Sequence, residues 1–147
     1  MQIEQLFELS SQYLDKWEHE GDDALNDEQH TLLAFCFMDS HVQDGGFVHL
    51  IASGYGEYVL MNPIADSLRR WRIKSTPKIL EKARALYSKY GEQIEQLAES
   101  GSEIGTLRQQ FNDFEELDAD YYDCAEQDWQ IACEYVAAHR EKFIQAA

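Results

Sequence analysis

Cys36, His41 and Asp44 fall within nine residues and supply the types a thiol nucleophile needs: a sulfur, a base and a carboxylate to orient the base. The neighbours of Cys36 argue against that chemistry, because Phe35, Phe37 and Met38 set the thiol in an apolar run that disfavours its thiolate. The D-A-D-Y-Y-D run starting at Asp118 has the look of a calcium loop. It fails at its fifth position, Tyr122, at its sixth, Asp123, where glycine is required, and at its twelfth, Trp129, where a bidentate Glu belongs. His19, His30, His41, His49 and His139 have no zinc spacing with one another or with Cys36, Cys124 and Cys133. Gly54-Tyr55-Gly56 is not followed by the Gly, Lys and Ser/Thr of a phosphate loop. No catalytic residue, metal or cofactor is therefore expected.

What the chain has in abundance is carboxylate. Its 28 acidic and 12 basic residues leave a net charge of −16, which favours cationic partners and argues against nucleic acid as a direct ligand. Residues 1–68 hold 13 acids against Lys16 alone, residues 69–89 hold eight bases against Glu81, and residues 90–147 hold 14 acids against three bases. On a helix, Glu4, Glu8, Asp15 and Glu18 gather within an arc of about 80°. Between Arg108 and Arg140 there is no base, and eight acids occur in sixteen positions; Asp113, Glu116, Asp120, Asp123 and Glu126 share one helical side. Glu92, Glu95, Glu99 and Glu103 form a weaker third stripe, with Gly101 inside it. Like charges at i,i+3 and i,i+4 cost ~0.2–0.5 kcal/mol per pair, whereas mixed signs would give equal solubility and a net gain. The first two rows are accordingly the expected partner-binding residues. Arginine grips a carboxylate bidentately much as it grips a phosphate, so rigid rows of acids suit a surface built to hold DNA. In the basic block, Arg70, Lys74, Lys78 and Lys82 recur every four residues. They are expected to pair with the chain's own acidic helices or a second subunit, and a break at Ser75–Pro77 keeps them from forming one ridge.

Helices must position these rows. The first is predicted from Ile3 to about Glu18, with Ile3, Leu6, Phe7, Tyr13, Leu14 and Trp17 as its apolar face. Asn26 is placed to cap a second helix, apolar nearly all round, that runs to about Asp39. Gly45 and Gly46 then turn the chain. Phe47, Leu50 and Ile51 mark a short buried helix before a second corner at Gly54 and Gly56. Further helices are predicted from Leu60 to Trp71 with Pro63 in the first turn, from Pro77 to about Leu97 with Thr76 as cap and a kink at Gly91, beside Gly101 and Gly105 up to Asn112, and from Phe114 to Ile144 as one broken or two consecutive helices. With no strand-like alternation, repeat or linker, residues 1–147 read as one compact all-α, multi-helix domain.

Two motifs carry a resemblance. The D-G-G-F corner at Asp44–Phe47, followed seven residues later by Gly54-Tyr55, and the F-E-E-L-D-A-D-Y-Y segment holding Phe114, Leu117, Asp118, Tyr121 and Tyr122, resemble the two signatures of the bacterial DNA-mimic protein (DMP) family. Both motifs read as structural. The resemblance implies an all-helical protein that presents carboxylates as a decoy to a DNA-binding protein, plausibly a helix-turn-helix transcription regulator, and inhibits it. The competing readings are an acidic immunity-type or anti-restriction inhibitor of a basic nuclease, and an enzyme whose site follows no recognised pattern. Homodimerisation would lengthen the charged surface.

The N-terminus has neither a basic leader nor an apolar core, and no stretch approaches the ~20 apolar residues of a membrane span, so a cytoplasmic protein is expected. Three cysteines without close spacing suit reduced, buried thiols.

Overall fold

Eight consecutive buried residues, Thr31 to Met38, can be hidden only by surrounding a helix on all sides. In the computed structural model, which describes residues 1–144, that helix is α2 (Asp27–Ala52). Around it stand α1 (Ile3–Glu20), α3 (Ile64–Arg70), α4 (Ser75–Glu99), α5 (Ile104–Gln110), α6 (Glu115–Ala138) and α7 (Arg140–Phe143), and α2 touches every one of them. No strand occurs among the described residues. The fold is the expected all-α bundle, with one continuous core that includes Leu6, Phe35, Phe47, Trp71 and Tyr121.

Asn26 caps α2 as expected, accepting from the Gln29 N–H at 2.8 Å while the Gln29 side chain accepts from the Asn26 N–H at 3.0 Å. The glycine corner is a kink within α2: Gly46 takes φ 80°, and Phe47, Leu50 and Ile51 are buried beyond it. No side chain fits at Gly46, because a Cβ there would lie 2.3 Å from Asp118 Oδ2.

Four local expectations are corrected. Residues Glu57–Met61 form a π turn instead of opening a helix, and α3 starts only after Pro63. Helix α4 begins at Ser75, so Thr76 lies inside it and does not cap it with its own side chain; Asp128 of α6 accepts both the Thr76 N–H at 2.9 Å and its hydroxyl at 2.6 Å. Gly91 does not kink α4; its bareness admits the Tyr87 ring, which a Cβ would meet at 2.5 Å. Gly105 lies within α5 instead of beside it. The last segment divides into α6 and α7 at His139, as one of the two expected forms.

Candidate partner-binding surface

Helix α1 buries Leu6, Ser10 and Tyr13 against the bundle, and Glu4, Glu8, Asp15 and Glu18 lie beside that face, all exposed. From Glu4 to Glu18 the row runs ~21 Å at 1.5 Å per residue. Asp15 pairs with the exposed His19 ring at 3.5 Å. The Asp15 carbonyl that this ring meets, and then the Asp15 carboxylate, raise the His19 pKa above its ordinary value.

Helix α6 places Glu116, Asp120, Asp123 and Glu126 on its solvent side, all exposed and without an ion pair among the described residues. Asp113 falls outside the helix, in a 3₁₀ turn over Asn112–Phe114, where it accepts the Tyr90 hydroxyl at 3.0 Å. Glu134, which the sequence reading left out, is exposed and lies five full turns from Glu116, so it extends the row to ~27 Å. The eighteen-residue interval from Glu116 is the signal in the sequence that marks it. Helices α1 and α6 pack together, with Phe7 against Trp129 at 5.2 Å between ring centroids, so the two rows belong to adjoining helices. The third stripe is broken up: Glu95 accepts the Tyr87 hydroxyl at 2.7 Å, α4 ends at Glu99, and Glu103 stands just before the first residue of α5.

The remaining acids of the α6 run face inward. Asp118 is 4% exposed and accepts the Phe47 N–H at 2.8 Å, just past the glycine kink; Asp128, 3% exposed, holds the start of α4. Burial pushes the Asp118 carboxyl above its usual range, with the Phe47 N–H opposing. Tyr121 donates to Asp39 Oδ1 at 2.6 Å, and Trp129 Nε1 reaches the same oxygen at 3.1 Å. Tyr122 donates to the Val42 carbonyl at 2.7 Å. The two recurrent motifs thus meet: the residues around Asp118 stitch α6 onto the kinked middle of α2, which is a structural task and leaves the outer carboxylates on a fixed helix.

Cys36 is 3% exposed, and burial pushes its thiol up to about 12, which ends its candidacy as a nucleophile. Asp44 is turned to His49 at 3.5 Å. Cys133 is buried and Cys124 half-buried, both as free thiols. No group of three His, Cys, Asp or Glu among the described residues is placed to hold a metal, and no described helix is long and apolar enough to cross a membrane.

Among the described residues, the basic block forms ion pairs at Arg69 and Arg70. Arg69 meets Glu81 at 2.6 Å and Asp66 at 3.4 Å, and Arg70 approaches Glu28 at 3.7 Å. Arg72, Lys74, Lys78 and Lys82 are exposed and have no ion pair among the described residues, so of the four regularly spaced bases only Arg70 meets the first of the two expected uses, pairing within the chain.

Comparison with known proteins agrees with this geometry. The family described as DMP19-like protein matches residues 23–139, a span that contains both motifs. A curated relative, "DNA mimic protein DMP19" of Neisseria meningitidis serogroup B (strain ATCC BAA-335 / MC58), is 53% identical over 141 residues, covering 94% of this chain and 86% of the relative.

Proposed function

This chain belongs to the DMP19-like protein family, and on that footing we propose that it is itself a DNA mimic, which binds a DNA-binding protein through the carboxylate rows of α1 and α6 and keeps it off DNA. A helix-turn-helix regulator, acting in the cytoplasm, is the partner whose basic reading surface suits a row of this length. The observation that carries the reading is the α6 row: exposed carboxylates with no ion pair among the described residues, on a helix clamped to α2 by Asp118, Tyr121 and Tyr122 and to α4 by Asp128.

Glu116 to Glu126 spans ~15 Å of helix, so four carboxylates stand at one per ~5 Å, against one phosphate per ~3.4 Å along a single DNA strand. The row alone is the sparser of the two, and the α1 row on the adjoining helix supplies further charge. A homodimer would extend the surface again. Fixed helices help because side chains held in place lose less freedom on binding than a mobile acidic tail would.

Competition is the direct test. The partner, recovered by affinity capture and identified by mass spectrometry, should release duplex DNA in a gel-shift titration as this protein is added, while the protein alone leaves the DNA unshifted. A stable ternary complex, or a shift of DNA by this protein alone, would refute the mimic reading.

A further inference from the structure

Bases of the block that form no ion pair among the described residues make a surface of their own. Because α4 is continuous from Ser75, Lys74 at its cap and Lys78, Lys82 and Lys89 within it fall inside an arc of about 80° and make one exposed ridge ~22 Å long. Glu81 does not interrupt it, being turned to Arg69. Lys89 lies over the Tyr90 ring, 5.0 Å from its centroid. The placement runs against the helix macrodipole, with cations at the positive N-terminal end and Glu99 in the last turn at the negative end.

The ridge opens at Lys74 into a cavity of about 900 Å³ between the α3–α4 corner and α6. Arg70, Arg72 and Lys74 form one wall, and Ile131, Tyr135 and His139 the other. Of its two acids, Asp128 is committed to Thr76, and Glu134 is exposed. Arg72 stands at φ 74° where α3 ends, with its N–H donated to the Arg69 carbonyl and the next N–H, of Ile73, to that of Leu68. That is the position in a helix-terminating turn where glycine is usual, so a charged side chain is kept there against backbone strain.

We propose that this groove and ridge bind an extended acidic segment of a protein partner, its carboxylates along Arg72, Lys74, Lys78 and Lys82 and an apolar side chain against Tyr135 and Ile131. The fit follows from charge and length: at ~3.3 Å per residue, about seven extended residues cover the ridge and stop short of Glu92, Glu95 and Glu99 on the same helix. Duplex DNA running past the ridge would meet those acids. A second copy docked reciprocally would bury the carboxylate rows of both. Glu134, which lines the groove and also ends the α6 row, is the one residue the two surfaces share; the basic ridge itself lies on α4, away from Glu116, Asp120, Asp123 and Glu126, and its binding does not depend on the mimic reading.

The probe is a fluorescein-labelled peptide of about ten residues, rich in Glu and Asp around one Phe, followed by anisotropy at roughly 50 mM salt where screening is weak. Wild-type protein should bind it, and Lys74→Gln/Lys78→Gln/Lys82→Gln should bind about tenfold more weakly, as expected for three exposed charge contacts. Arg72→Gly should also bind more weakly while melting no lower than wild type, which separates lost contact from lost fold. Glu116→Gln/Asp120→Asn/Asp123→Asn/Glu126→Gln should bind the peptide no less tightly than wild type, although it fails in DNA competition. Three results overturn the proposal: no binding by wild type; equal binding by both basic-surface variants; or a ridge-dependent preference for a duplex of about 20 base pairs, or for a second copy seen by sedimentation, over the peptide.

Discussion

Replacing Glu116, Asp120, Asp123 and Glu126 with their amides removes four charges at nearly constant shape, and the structure sets what that should do. Glu116–Asp120, Asp120–Asp123 and Asp123–Glu126 are like-charge neighbours at i+4 or i+3, so relieving them returns ~0.6–1.5 kcal/mol in all. Glu116 lies in the first turn of α6, where its charge favours the helix N-terminus, and losing it costs ~0.3–1 kcal/mol. The two nearly cancel. Stability should change by less than ~1 kcal/mol, a melting shift of no more than about 2–4 °C for a chain of this size. Binding should change far more. At ~0.2–1 kcal/mol for each exposed contact to Lys or Arg, four contacts are worth ~1–4 kcal/mol, from about fivefold to several hundredfold in affinity. Asp113 is left out because it accepts the Tyr90 hydroxyl and its amide would test the fold as well. The assay is displacement of duplex DNA from the captured partner, read beside a thermal melt. A variant that melts normally and still displaces DNA at the wild-type concentration would refute the role of this row.

Arg72→Gly should stabilise the protein by about 1 kcal/mol in a denaturant titration, since relief of a left-handed residue outweighs the extra freedom glycine gives the unfolded chain. Asp128→Ala leaves the Thr76 N–H and hydroxyl without their buried acceptor and should cost ~2–3 kcal/mol by the same titration, while Asp128→Asn, which keeps an acceptor, should cost clearly less. Asp118 gives a pH signature: its folded pKa is raised above the unfolded value, so the folded state holds the proton longer. Its contribution to stability is then largest below the unfolded pKa and falls as pH rises through the folded one. Asp118→Asn should flatten that slope in melts taken from pH 3 upward, and an unchanged profile would show that the slope arises elsewhere.

Periodicity made most of the helices legible, because each needs one apolar stripe and the bundle needs one helix apolar all round. The failures have a common cause. At Thr76 the local pattern points to a helix cap, whereas Thr76 lies inside α4 and its N–H and hydroxyl are taken by Asp128, 52 residues away. Gly91 was read as a weakness in α4, when the reason for it is the Tyr87 ring laid across it. The acids of the α6 run showed the same limit. Helical spacing separated Glu116, Asp120, Asp123 and Glu126 as one side, yet only the tertiary fold distinguishes Asp118 and Asp128, of the same type and in the same run, as buried acceptors. The basic block went wrong in the opposite direction, since a presumed break at Ser75–Pro77 hid a ridge that continuous α4 creates.

That division of labour among carboxylates connects fold to function. An acid is kept charged at low cost only where water or a donor reaches it, so an acidic helix that must also pack has to spend some of its acids on backbone N–H groups. Here Asp118 and Asp128 point inward to two different neighbours, the kink of α2 and the start of α4, and the run between them is fixed at both ends. Asp120, Asp123 and Glu126 lie between those anchors, and Glu116 stands two residues before the first. The bareness of Gly46 belongs to the same device, because only without a Cβ can the Asp118 carboxylate come close enough to take the Phe47 N–H. The residues of the two sequence motifs are therefore the ones that hold the outer row still. In the proposed reading, recognition falls to the exposed carboxylates, which take no part in these anchoring contacts.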